Sequence, residues 1–151
     1  MSYKTILVNA QPAPRTAQIV ACASRLALAD DAHLVGLAST GLNELEYQCN
    51  AIAPGVPVLP DASRVLTAAA RQALDEFTAV ASQLGVAACE ARLTDDNLLA
   101  SMVLQARYAD LVVTGQTDAG GVPAAQLILH SPRPVLVVPD ADAGAASAAG
   151  A

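Results

Sequence analysis

The sequence predicts an α/β fold, an open doubly wound sheet of five parallel strands with helices on both faces. Five short runs rich in Val, Leu and Ile alternate with segments whose apolar residues recur at helical spacing. Several runs are apolar at nearly every position, which is typical of parallel strands covered on both faces. Since strands and helices alternate, right-handed crossovers would join the strands into one sheet.

The five predicted strands are YKTILVN, HLVGLAS, VAACEARL, DLVVTG and RPVLVVP, at residues 3–9, 33–39, 86–93, 110–115 and 133–139. Sheets of this kind bind ligands at the carboxyl ends of their strands, where the strand order reverses. We therefore expect any binding site at that edge of the sheet.

A last short helix is predicted from Pro123 to about His130. Helices are also predicted at residues 14–30, 62–84 and 95–108, because their apolar positions follow a spacing of three and four. These positions are Ile19, Cys22, Ala23, Leu26, Ala27, Leu66, Ala70, Ala73, Phe77, Val80, Leu84, Leu99, Met102, Val103 and Ala106.

Local signals mark where these helices begin and end. Pro14 suits the first helical turn, which has no use for its missing N–H. Gly85 is expected to end the second helix as a left-handed cap. Thr94 or Asp95 is expected to cap the third at its N-terminus.

A long connection, residues 40–61, joins the second strand to the second helix. A loop of about 20 residues is unusual in a compact domain and is often a lid or a contact surface. Pro54, Pro57 and Pro60 would stiffen its second half. A variable surface excursion is the alternative interpretation.

Length and composition predict one domain, residues 1–139, followed by a disordered tail at 140–151 that is rich in alanine and glycine. No apolar run approaches the length of a membrane span, and no secretory signal is recognisable, so a cytoplasmic location is expected. A net charge of −6, with Lys4 as the sole lysine, argues against nucleic-acid binding. Cys22, Cys49 and Cys89 lack paired spacing, and the first and last are expected to be small buried hydrophobes.

Residues 112–121, VVTGQTDAGG, end a strand in a glycine-rich turn of the kind that often holds phosphate. Gly120 and Gly121 supply flexibility, but Asp118 would repel an anion. Val122 has no hydroxyl, and Pro123 offers no N–H at the start of the next helix. The turn is therefore expected to connect strand and helix without holding a phosphate.

The opening KTILVNAQPAPRTAQIVACASRLA and the ending ADLVVTGQT…SPRPVLVVP resemble the universal stress protein family across residues 2–139. The resemblance implies a Rossmann-like fold of the adenine-nucleotide alpha hydrolase type. It also implies a homodimer formed through the last strand, Pro134, Val135, Leu136, Val137 and Val138. Members of the family divide into nucleotide binders and proteins that bind none.

The binders carry an aspartate after the first strand and a G-x2-G-x9-G-[S/T] signature after the fourth. Gln11 stands at the aspartate position, and only Gly115 matches the signature's start, because Asp118 replaces the second glycine. Aligned from the last strand, Gly121 and Val122 take the place of the Gly-[S/T] pair. The segment between is then about seven residues short, which implies that the standard ATP site is lost.

No catalytic constellation is recognisable. Ser131 follows His130 directly, whereas a nucleophile and its base normally converge from different segments, and no G-x-S-x-G elbow exists. His33 is expected at the surface or in a cap. The acids of LTDDN, residues 93–97, favour a helix N-terminus without any metal. The protein is therefore not expected to be an enzyme or to hold a cofactor or metal.

Together with the absence of a catalytic constellation, the resemblance implies a non-enzymatic, homodimeric stress-response or regulatory module. Under the resemblance the apolar last strand lies at a sheet edge, where it would expose unpaired backbone groups that two-fold pairing with a second copy would cover. The alternative is a sensor of ATP or AMP with a remodelled pocket. That pocket would be formed by Ala10, Gln11, Leu37, Ala38, Gly115, Gln116 and Thr117.

Overall fold

A computed structural model describes residues 2–116 and 122–140 of the chain. The elements, in chain order, are β1 (Thr5–Asn9), α1 (Thr16–Asp30), β2 (His33–Ser39), α2 (Leu42–Ile52), α3 (Pro60–Gln83), β3 (Cys89–Thr94), α4 (Leu98–Ala106), β4 (Leu111–Gly115), α5 (Ala124–His130) and β5 (Val135–Val138).

The five strands form one parallel sheet in the order β3-β2-β1-β4-β5. The predicted α/β fold class is therefore confirmed. β1 lies at the centre, with Val8 opposite Gly36 of β2 and Val113 of β4. The chain moves outward in one direction from β1 to β3 and in the other from β4 to β5, so the strand order reverses between β1 and β4.

Two apolar clusters cover the two faces of the sheet. One contains buried residues of α1 and α3, such as Ile19 and Phe77, and the other contains residues of α4 and α5, such as Met102 and Leu127. Successive strand residues alternate between them: Val8 joins the first cluster and Leu7 the second. Helices thus cover both faces, which explains why residues 6–8 of β1 and 111–113 of β4 are all apolar.

The close approach of α3 to the sheet depends on a glycine in β2. A Cβ atom on Gly36 would lie 2.7 Å from three carbons of the Phe77 ring, which is fully buried. The phenyl ring therefore occupies the volume that any other residue at this position would fill. At the end of this helix Gly85 has a φ of 91°, which confirms the predicted left-handed conformation.

The interpretation of residues 40–61 as a long loop is wrong. The eleven-residue helix α2 occupies half of it, and α3 already begins at Pro60. None of the residues of α2 is buried, so no wide apolar stripe marks the helix in the sequence. A usable signal was the spacing of Leu42, Leu45 and Cys49, which are half-buried, in a segment free of proline and glycine.

Several local predictions also need correction. The N-cap of α4 is Asn97, whose Oδ1 accepts from the Ala100 N–H, instead of Thr94 or Asp95. The third strand begins at Cys89, three residues later than predicted. Cys22 and Cys89 are half-buried instead of buried. The partial burial of Cys89 raises the pKa of its thiol.

None of the helices in the described part of the chain is long and apolar enough to cross a membrane. The predicted tail beyond residue 140 and the glycine turn at 117–121 lie outside the described residues. The division into a domain and a tail therefore stays a prediction.

Candidate functional site

The carboxyl edge of the sheet between β1 and β4 is the place where a doubly wound fold offers a ligand crevice. Gln11 follows β1 there, Gly115 ends β4, and Gln116 follows β4. The sequence-predicted residues Leu37 and Ala38 lie near the end of the neighbouring strand β2. The structure therefore brings six of the seven predicted residues to one edge, while Thr117 lies outside the described residues.

Three of these residues have side chains that belong to the core. Ala10, Leu37 and Ala38 are each 0% exposed and pack in the apolar clusters. The Ala10 N–H donates to the Leu37 carbonyl at 2.9 Å, which continues the pairing of the two strands. The side chains of these three residues lie in the core beneath the carboxyl edge, so a ligand at that edge would not contact them.

Gln11 is bonded through both its backbone and its side chain. Its Nε2 donates to the Ser39 carbonyl at 3.0 Å, and its Oε1 accepts from the Ser39 N–H at 2.8 Å. Its backbone N–H donates to Asn9 Oδ1, and its carbonyl accepts from the Thr16 hydroxyl. The amide acts as a peptide group would and extends the pairing of β1 with β2.

These two hydrogen bonds to Ser39 use one of the two N–H donors of the Gln11 amide and one lone pair of its oxygen. A carboxylate at the same position would have no proton for the Ser39 carbonyl. Gln11 thus holds the ends of β1 and β2 together. A polar ligand at this edge would find one N–H donor and one acceptor site of the Gln11 amide already used by Ser39.

Two buried polar residues, neither of them predicted from the sequence, lie beside each other at the point of strand reversal. Asn9 and Thr114 follow the paired residues Val8 and Val113, so they occupy neighbouring positions on the α4–α5 face. Thr114 is 1% exposed, and its Oγ1 has no hydrogen-bond partner among the described residues. The available signal was a polar residue ending each of two apolar runs, ILVN and LVVT.

Gln116 ties β4 to the end of the chain's last strand. Its backbone N–H donates to the Val138 carbonyl at 2.9 Å, and its Oε1 accepts from the Asp140 N–H at 3.2 Å. The predictions for Asp118, Gly120 and Gly121 concern residues outside the described part of the chain. That this turn holds no phosphate therefore stays a prediction.

A polar network joins the β3–α4 turn to the start of α2. The Thr40 hydroxyl donates to Asp95 Oδ1 at 2.7 Å, and Asn43 Nδ2 donates to Asp96 Oδ1 at 2.6 Å. Asn97 Nδ2 donates to Glu44 Oε2 at 2.8 Å. The acids of LTDDN thus accept hydrogen bonds from neighbouring side chains. Within residues 2–116 and 122–140, no group of three His, Cys, Asp or Glu side chains could hold a metal.

The two histidines that the sequence offers as catalytic candidates lie away from the carboxyl edge between β1 and β4. His33, at the amino end of β2, places Nε2 3.2 Å from Glu90 Oε2, and Arg92 Nε donates to Glu90 Oε1 at 2.7 Å. Hydrogen bonds from Arg92 and then His33 lower the pKa of Glu90 to about 2. His130 Nδ1 lies 2.8 Å from the Gln126 carbonyl. His33 thus lies half-exposed at the start of β2, as expected of a surface residue, and faces an acid of β3.

No family model matches the sequence, and a sequence search of curated proteins finds no significant relative. Solved structures do match. The universal stress protein UspA from Lactobacillus plantarum has a TM-score of 0.70 at 18% identity, covering 91% of this chain and 99% of that one. A universal stress protein in complex with cAMP has a TM-score of 0.66 at 20% identity, covering 91% and 98%.

A universal stress protein family protein from Arabidopsis thaliana with AMP bound has a TM-score of 0.59 at 15% identity, covering 93% of this chain and 94% of that one. These identities establish a shared fold and no more. The resemblance seen in the sequence is confirmed at this level. The chain has the universal stress protein fold, a five-stranded parallel α/β sheet with helices on both faces.

Proposed function

We propose that this chain is a non-enzymatic, homodimeric stress-response or regulatory module of the universal stress protein type, acting in the cytoplasm without the standard ATP site. The observation that carries the proposal is the paired bonding of the Gln11 amide with Ser39. An aspartate there would leave a carboxylate free for a sugar or a metal. Here the side chain is committed to holding β1 and β2 together.

The positions of the candidate nucleophiles and bases support a role without catalysis. The Ser131 hydroxyl donates to the Arg133 carbonyl at 2.8 Å, and His130 lies against its own helix at the Gln126 carbonyl. His33 is at the opposite end of the sheet from Gln11. A nucleophile needs a base within hydrogen-bond reach, and these three residues offer no such pair.

The edge position of β5 supports the dimer. β5 pairs with β4 on one side, and within the described residues no strand pairs with its other side. Leu136 is 36% exposed, and Ile128 and Leu129 of the adjoining α5 are 53% and 76% exposed. An apolar, unprotected edge invites pairing with another strand, and an antiparallel pair of two β5 strands is self-complementary.

The test of the dimer is light scattering at tens of micromolar protein. The wild-type chain is expected to have the mass of a dimer, and Leu136→Glu is expected to give a monomer or insoluble protein. A matched change on a distant exposed position, Leu28→Glu in α1, should leave the dimer intact. A wild-type monomer at this concentration would reject the proposal.

The alternative function is a nucleotide sensor, for ATP or AMP, with a remodelled pocket. Two observations favour it: the buried Thr114 hydroxyl without a partner among the described residues, and the solved structures of similar fold with cAMP or AMP bound. An unsatisfied buried hydroxyl costs roughly 1–3 kcal/mol, which a ligand or a water could recover.

Mass spectrometry of the denatured, purified protein separates the two functions. The leading proposal predicts that no nucleotide is carried in stoichiometric amount. Release of one AMP or ATP per chain would establish the sensor instead. In that case Thr114→Val, which keeps the shape of the side chain but removes its hydroxyl, should lower the amount carried.

A further inference from the structure

Helix α2 is held in place without being buried. Its first turn is tied to the body of the protein by the Asn43 N–H, which donates to the Asp95 carbonyl at 3.0 Å, and by the bond between Asn97 and Glu44. None of its residues is buried. An isolated helix of 11 residues is marginal in water. The polar anchors therefore fix a helix whose outer side remains available.

The segment after α2 folds back and forms a notch against it. The notch has a volume of about 160 Å³ and is lined by Glu46, Asn50, Gly55, Val56, Pro57 and Val58. The two walls are joined, because Asn50 Oδ1 accepts from the Gly55 N–H at 3.2 Å, and Gly55 has a φ of 82°. Binding there would not require the walls to be ordered first, which lowers its entropic cost.

The notch combines an unpaired carboxylate with exposed apolar groups. Glu46 makes no ion pair or side-chain hydrogen bond with any described residue, whereas Glu44 in the same helix is bonded to Asn97. Val56 is 54% exposed. Tyr47, 77% exposed, lies one helical turn before Asn50 and flanks the notch.

The charge of the notch and of α2 is negative. Glu46 is the one charged residue that lines the notch, Glu44 is the other charged residue of α2, and the whole chain carries a net charge of −6. Asp61, at the start of α3, is paired with Arg64 at 3.7 Å. A second copy is a poor occupant, because a two-fold contact would bring these acids against one another. A cationic side chain with an aliphatic stem matches both the carboxylate and the valines.

We propose that the α2 notch is a docking site for a basic, partly apolar segment of another protein. One lysine or arginine of that segment lies along Val56 and Val58 with its cationic group beside Glu46, and an apolar neighbour packs on Tyr47. The proposal depends neither on the dimer nor on the presence or loss of a nucleotide site.

The test is selection of peptides of about twelve residues from a random displayed library on the purified full-length protein. The selected peptides should be enriched in Lys or Arg next to apolar residues, and their binding should weaken with added salt. Glu46→Gln and Tyr47→Ser should each weaken binding roughly tenfold. The controls are Glu76→Gln and Tyr108→Ser, since Tyr108 is 78% exposed and Glu76 lies on the surface of α3, and both should bind as the wild type does.

Three results would overturn the proposal. The selection could yield no binders, or binders without basic enrichment. The selected peptides could bind all four variants equally, which would indicate diffuse attraction to an acidic surface. Tyr47→Ser could instead change the oligomeric state in sedimentation, which would make a second copy the occupant.

Discussion

The side-chain amide of Gln11 and the backbone of Ser39 are joined by two hydrogen bonds, one in each direction, at 3.0 and 2.8 Å. The pair lies just beyond the last backbone rung between β1 and β2, where the Ala10 N–H meets the Leu37 carbonyl. The side-chain amide of Gln11 therefore extends the hydrogen bonding between β1 and β2 by one more pair of bonds, as a backbone peptide group would. The position therefore has a structural role, although the sequence resemblance would lead one to expect an acid there.

Gln11→Glu tests this role with a side chain of the same shape. The carboxylate can still accept from the Ser39 N–H, but its second oxygen would face the Ser39 carbonyl, so repulsion replaces a bond. We expect the free energy of unfolding to fall by about 1–2 kcal/mol at pH 7, measured in urea. Gln18→Glu, on the exposed first turn of α1, should change it by less than about 0.5 kcal/mol.

The same variant should recover part of its stability in acid relative to wild type. Once the introduced carboxyl group is protonated, it carries a hydrogen for the Ser39 carbonyl, so the deficit should shrink as the pH falls below about 5. An equal deficit at pH 7 and about pH 4 would show that the loss does not come from the missing donor.

Gly36→Ala should destabilise the fold because its methyl group would enter the ring of Phe77, 2.7 Å away. Overpacking of this kind typically costs about 1–3 kcal/mol. In the double variant Gly36→Ala with Phe77→Leu, the smaller side chain should make room. The two changes together should then cost less than the sum of each alone. Strict additivity in urea unfolding would contradict the contact.

Asn97→Asp should loosen α2 while leaving α4 capped. Aspartate is as good an N-cap as asparagine, so the bond to the Ala100 N–H is kept. The donor to Glu44 is lost, and two carboxylates then face each other. We expect faster hydrogen exchange across residues 42–52 with nearly unchanged global stability. Unchanged exchange there would show that α2 does not depend on this anchor.

Glu90→Gln should remove a contribution to the free energy of unfolding that the wild-type protein has at neutral pH and loses in acid. In the folded protein the pKa of Glu90 is lowered to about 2, below its value in an unfolded chain, so its charge favours folding above about pH 4.5. The advantage of wild type over the variant should disappear as the pH falls from 4.5 towards 2. It should be below about 1 kcal/mol at pH 7, because the group is half exposed. A difference that is constant between pH 7 and about pH 3 would contradict it.

The fold was predictable because in the sequence the buried strands contain runs of apolar residues and the helices that cover them contain apolar residues at helical spacing. Leu111 to Val113 and the stripe from Ala70 to Phe77 are examples in which the pattern and the burial agree. Helix α2 was harder to predict in this way, since none of its residues is fully buried and polar bonds tie its first turn to the body of the protein. Its first turn is bonded to Asp95 and Asn97, about 50 residues later in the chain.

The edge of the sheet could be located from the sequence, but its chemistry could not. The order of strands places Gln11 beside the end of β2, yet nothing local shows that its amide would bond to Ser39. The burial of Thr114 without a partner among the described residues is likewise a property of neighbouring strands and helices. Such pairings arise between segments far apart in the chain.

The central proposal is that this chain lacks the standard ATP site of the nucleotide-binding universal stress proteins, and calorimetric titration of the purified protein with ATP tests it most directly. We predict an affinity no better than high micromolar. Asp118→Gly alone should not improve it, because Val122 still offers no hydroxyl and the segment after Gly115 remains short. Sub-micromolar binding of ATP by the wild-type protein would contradict the account.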